Sequence, residues 1–198
     1  MPLFYRYDAS GSFLARMWWQ EDELTVESGH WDEKAPGILP VWVRFDGHDG
    51  QDTYMRAEPL AVQGEKGVLF DLFWFGLYEG RGLGGGYYYQ IRPVARRVDA
   101  PPSIMNYAMD ADYAGYLAMY VSASEAGKRT IIAASDLWRL EGLTPTRLKI
   151  ENMRHNLKLT NFDDSPVRRY KQFGVPYLNS HGGQAGRVTL EVVKYPFP

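Results

Sequence analysis

The stretch Val68-Leu69-Phe70-Asp71-Leu72-Phe73-Trp74-Phe75-Gly76-Leu77-Tyr78 decides how this chain is read. From Gly67 onward its odd and even positions are apolar alike, so a strand with this sequence needs cover on both faces. That cover comes either from the middle of a sandwich or from a neighbouring subunit. The stretch is too short to span a membrane and contains Asp71. A glycine cluster, Gly80-Arg81-Gly82-Leu83-Gly84-Gly85-Gly86, follows, and strand character resumes at Tyr87 and runs to Arg92. The two segments predict a long hairpin with a glycine-rich tip, and Pro93 limits how far its second strand continues inside a sheet.

Working outward, Leu39 to Phe45 alternates, with Val41, Val43 and Phe45 opposing Trp42 and Arg44, until Asp46-Gly47 breaks it. Phe4 to Tyr7 and Phe13 to Trp19 flank the turn-forming Asp8 to Ser12 and predict an opening hairpin. Tyr116 to Val121, Arg129 to Ala134, Arg147 to Glu151 and Asn156 to Thr160 read as strands, the last two as a hairpin about Asn152 to His155. Gly186 to Tyr195 closes the series, with Val188, Leu190 and Val192 on one side. Ser135-Asp136 ahead of Leu137 to Glu141, with Gly142 behind, carries a cap at each end and predicts one short helix. Ile104 to Tyr113 is ambiguous between helical turns and a loop, and Phe162 to Gly186 reads as a long irregular surface loop.

The pattern predicts an all-β fold, an antiparallel sandwich or jelly-roll-like barrel with one short helix. An α+β domain is the alternative if Ile104 to Val121 is helical. Residues 1–198 are read as one domain, with a possible sub-boundary near 99–103 at Ala100-Pro101-Pro102.

Composition narrows the function classes. Hydrophobic residues at 45% and charged residues at 23% suit a folded globular chain. A net charge of -2 removes the long-range attraction on which nucleic-acid binders rely, so no nucleic-acid partner is expected, and no membrane partner either. Without cysteine there is no disulfide framework, thiolate nucleophile or thiolate metal site. A soluble protein of a reducing compartment or of a virion assembled inside a cell is the expectation, with no export signal visible after Met1.

Motifs are few. Gly80, Gly82 and Gly85 satisfy GxGxxG, but a strand follows where a nucleotide binder needs the N-terminus of a helix, so a hairpin tip is the better reading. Asp46, Asp49 and Asp52 lie close together with His48, a density that could gather oxygens around calcium. The loop lacks EF-hand spacing and Asp-Gly pairs form turns, so no metal or other cofactor is expected. None of His30, His48, His155 and His181 has a catalytic context, and acids such as Glu21, Asp22, Glu23 and Asp71 form no distinctive pair. Catalysis is not expected.

Aromatic residues make up 15% of the chain, a surplus that places some of them near the surface. Trp18, Trp19, Trp42, Tyr87, Tyr88 and Tyr89 are the candidate binding residues. Neighbours on a strand point to opposite faces, so of Trp18 and Trp19 one faces the core and the other the outside. Exposed rings beside arginine mark protein interfaces. The expected function is therefore a non-catalytic structural or interaction subunit of a larger homo- or hetero-oligomeric assembly, a viral or phage-like particle being one concrete setting. The alternative is a carbohydrate-binding module that stacks sugars on the same rings.

Overall fold

The computed structural model describes residues 4–21, 37–45, 53–60, 68–81, 85–94, 106–122, 130–131, 136–148 and 154–198. Among these described residues strand accounts for 69% and helix for 3%, which decides for the all-β fold over the α+β alternative. In chain order the strands are β1 (Phe4–Glu21), β2 (Ile38–Phe45), β3 (Arg56–Ala57), β4 (Val68–Phe70), β5 (Leu72–Arg81), β6 (Tyr87–Val94), β7 (Tyr107–Ala111), β8 (Leu117–Val121), β9 (Thr130–Ile131) and β10 (Leu137–Leu140). After the short helix α1 (Pro145–Leu148) come β11 (Arg154–Leu157), β12 (Leu159–Thr160), β13 (Arg168–Gln172), β14 (Val175–Asn179) and β15 (Gln184–Lys194).

Six strands close into an antiparallel barrel in the order β1-β2-β3-β14-β13-β15, with β15 returning to pair with β1. Closure leaves these strands no free edge along the ring. β1 also belongs to a second run of strands, β1-β5-β6-β10-β12. Its first half pairs with β5 (Phe4 opposite Arg81, Arg16 opposite Leu72), and its second half with β15 and β2. This resolves the expected opening hairpin differently. Asp8 to Ser12 is an irregularity within one continuous strand, where Asp8 accepts hydrogen bonds from the Ser10 amide and hydroxyl and Ser12 Oγ accepts from the Leu77 amide at 3.0 Å.

Alternation sets the core. Phe13, Ala15, Met17 and Trp19 of β1 face inward with Val41, Val43, Met55, Leu178, Val188 and Leu190. The two-faced stretch is split at Asp71: Phe70 of β4 pairs with Val43, whereas β5 pairs with β1 and β6. Its second face is covered by the protein itself. Leu14, Leu72, Trp74 and Val94 form a separate cluster under Phe197, whose carbonyl accepts the Trp74 indole N–H at 3.2 Å and whose amide donates to Ser12 O at 2.8 Å.

The β5–β6 hairpin lies where the sequence predicts it, but the second strand passes through Pro93, which sits opposite Phe73, to Val94. Five other expectations are corrected. Leu137 to Leu140 is a strand, because Leu137 and Trp138 pair with Gln90 and Tyr89 and the Trp138 indole donates to Met109 O at 2.9 Å. The short helix falls instead at Pro145–Leu148, where a strand is expected from Arg147 onward. β11 and β12 do not complete the expected hairpin but pair with β15 and β10. Ile104 to Tyr113 contains β7, and the expected late loop contains the β13–β14 hairpin. Residues 99–103 lie outside the described residues. Among the described residues no helix is long and apolar enough to cross a membrane.

Candidate functional site: a tyrosine-walled pocket

The expected binding residues do not form one surface. Trp19, Trp42 and Tyr89 are fully buried, so none offers a face to a partner or a sugar. Trp42 donates its indole N–H to Glu58 O at 3.0 Å and lies 5.3 and 5.2 Å from the Arg44 and Arg56 guanidinium carbons. Tyr88 is buried against Tyr5, with ring centroids 5.1 Å apart. Trp18 is half-buried on the outer side of β1, opposite Trp19, and Tyr87 is exposed at the start of β6. These last two stand at opposite ends of the sheet, since Tyr87 pairs with Glu79 near the Arg6 end of β1. Asp46, Asp49 and Asp52 lie outside the described residues. Among the described residues no group of three histidine or acidic side chains is placed to hold a metal.

A different set of rings converges. Residues 53–55 run between β8 and β14: the Met55 amide donates to Leu117 O at 2.8 Å, and the Leu178 amide donates to Met55 O at 3.0 Å. Met55, Leu117 and Leu178 point into the core, so alternation turns their neighbours Tyr54, Tyr116 and Tyr177 outward together. Their ring centroids stand 6.0 Å (Tyr54 to Tyr116), 5.8 Å (Tyr54 to Tyr177) and 5.8 Å (Tyr116 to Tyr177) apart, at interplanar angles of 81°, 68° and 85°. With Asp112, Tyr113, Ala114 and Gln172 they enclose a cavity of about 300 Å³.

The turn from β7 to β8 fixes Asp112 at the cavity. Its Oδ1 accepts the amides of Ala114 and Tyr116, each at 2.9 Å, and its Oδ2 faces the Tyr54 hydroxyl at 3.4 Å. The turn is clamped to the end of β14. Asn179 Nδ2 donates to Ala114 O at 3.2 Å, and the Ser180 amide donates to Gly115 O at 2.8 Å. Gly115 adopts φ +84°, and a Cβ there would lie 2.5 Å from the His181 ring, so the close approach requires glycine.

Burial, and for both groups the nearby Asp112 carboxylate, raise the Tyr54 and Tyr116 phenols above their ordinary value near 10, and Tyr120 beside them is pushed up to about 12. All three are neutral at physiological pH. Among the described residues the wall is tyrosine rings with one carboxylate, and none of the lining residues is histidine, serine, threonine or lysine.

Two strongly exposed aromatic residues stand at this pocket, one in its rim and one beside it. Tyr113 in the β7–β8 turn and Phe173 at the β13–β14 tip are each 98% exposed. Phe173 has φ +51° and is followed by Gly174 at φ +85°, a two-residue hairpin turn of the kind that asparagine or aspartate followed by glycine forms with least strain. Its neighbour Gln172 lines the cavity.

Fold and pocket together define a class: an all-β barrel with a ring-walled recess at the side of two hairpins. Compared with protein-family models, curated proteins and solved structures, the chain finds no match in any of the three.

Proposed function

We propose that this chain is a non-catalytic interaction subunit of a larger protein assembly, and that it engages its neighbour with the β7–β8 and β13–β14 hairpin tips and the pocket beside them. The observation that carries this reading is Phe173. A left-handed backbone position in a tight turn favours asparagine, aspartate or glycine, and a large ring there costs local energy of about 1 kcal/mol or more while leaving its apolar surface in water. A residue that breaks both the turn rule and the burial rule has its rationale outside the isolated chain. Fully exposed Tyr113 near the same cavity extends the apolar patch, and rings of this kind serve as interface anchors. A viral or phage-like particle is one setting for such a subunit.

The test separates stability from association. Phe173→Asn is expected to raise the midpoint of urea unfolding of the monomer, by about 1 kcal/mol of stability, and to weaken assembly. Size-exclusion chromatography with light scattering, on the purified protein and on its native source, reads the assembly. A protein that is monomeric in both sinks the proposal.

Glycan binding is the second reading, moved from Trp18 and Tyr87 to Tyr54, Tyr116 and Tyr177. The observation favouring it is that Asp112 and the Gln172 amide accompany rings in one cavity. A glycan array probed with the purified chain tests it, and the absence of any bound glycan ends it.

A further inference from the structure

Resting on the interaction role above, we propose that the pocket walled by Tyr54, Tyr116 and Tyr177 takes the cationic head of a lysine or arginine side chain presented by the partner protein. Three rings at steep mutual angles make a box and not a platform, a shape that suits a compact cationic head better than a sugar ring laid flat. The faces of such rings carry negative potential and attract cations. Asp112 supplies the formal charge. Its Oδ1 is occupied by two backbone amides; among the described residues its Oδ2 meets only the Tyr54 hydroxyl, at 3.4 Å, and no cationic side chain forms an ion pair with it.

An anion would be repelled by this carboxylate, and a purely apolar plug would strip water from it without compensation. Arg56 shows what the rings hold in place: its guanidinium carbon lies 5.8 Å from the Tyr177 centroid, while its own charge is met by Glu58 at 3.6 Å. It does not line the cavity, whose space is left for a second cation. About 300 Å³ accommodates a guanidinium or ammonium head with part of its stem.

The experiment is an NMR titration of the intact protein, following the amides of residues 112–116 and 172, with Nα-acetyl-arginine amide, Nα-acetyl-lysine amide, Nα-acetyl-citrulline amide, choline and methyl glucoside. Citrulline reproduces the shape of arginine without its charge. The expected result is binding of the arginine or lysine compound, with citrulline about tenfold weaker. Asp112→Asn retains an oxygen for the turn while removing the charge, and is expected to abolish the preference for arginine over citrulline. Tyr177→Leu, on a different strand, is expected to weaken the same binding.

Equal binding of arginine and citrulline overturns the proposal, as does preferential binding of methyl glucoside or no binding at all. Tighter binding of choline than of either side-chain compound overturns the assignment to a partner's side chain. If the chain assembles in solution while the pocket ignores these cations, the cation assignment alone falls. If it is monomeric everywhere, the interaction reading falls whatever the pocket binds.

Discussion

His155 sits half-buried on β11 opposite Leu190, with its Nε2 enclosed and unpartnered among the described residues. Burial, and secondarily the Arg147 guanidinium, hold its pKa below the ordinary value near 6.5. As pH falls through 6.5 the unfolded chain takes up a proton that the folded chain refuses, so stability falls until the depressed folded value is passed. Urea midpoints at pH 7.5 and 5.5 are expected to show a larger loss for the wild type than for His155→Gln. An equal loss would refute this account.

A different group is met within the fold. Arg92 is fully buried, donates its Nε–H to Gln90 Oε1 at 2.9 Å, and is reached electrostatically by Asp136. Burial lowers its pKa, and a guanidinium in a protein keeps its charge. A buried charge of this kind is held at a desolvation cost and is weak evidence of added stability.

Among the elements, the last residues act as a second layer. Phe197 packs on Trp74, Leu14 and Leu72 and carries the Lys194 ammonium 5.2 Å from its ring centroid. Phe197→Ala is expected to cost about 2 kcal/mol in urea or thermal unfolding. It is expected to leave assembly unchanged, since the hairpin tips are elsewhere. A loss of assembly without loss of stability would contradict both assignments.

That the Val68 to Tyr78 stretch is strand was legible from its residues, but its cover was not. Phe197 meets Trp74 across 123 positions, and no local pattern announces such a contact. The Leu137 to Leu140 strand misleads for a related reason. Asp136 looks like a helix cap, yet its carboxylate accepts hydrogen bonds from Gln90 and Ser122. Phe162 to Gly186 looked irregular because β13, Arg168–Gln172, is largely exposed and so lacks an apolar face. The pocket was missed for want of register. Tyr54, Tyr116 and Tyr177 each stand beside a buried apolar residue, but their convergence depends on which strands become neighbours. The adjacent Trp18-Trp19 and Tyr87-Tyr88-Tyr89 were conspicuous only because they are contiguous.

At the scale of the whole molecule, β1 ties the two runs of strands together, and the ring closes through its pairing with β15. Leu14 lies opposite Lys194 and Glu21 opposite Gly186. Closing so long a loop costs entropy before any contact repays it, which makes folding slow, on the order of milliseconds to seconds. Stopped-flow refolding followed by tryptophan fluorescence is expected to give rates in that range, and microsecond folding would show that closure is not the limiting event. The ring therefore cannot close during synthesis of its first five strands. Until residues 184–194 leave the ribosome, β1 and β13 each present an open edge, and the nascent chain must be kept from pairing with its neighbours on the polysome.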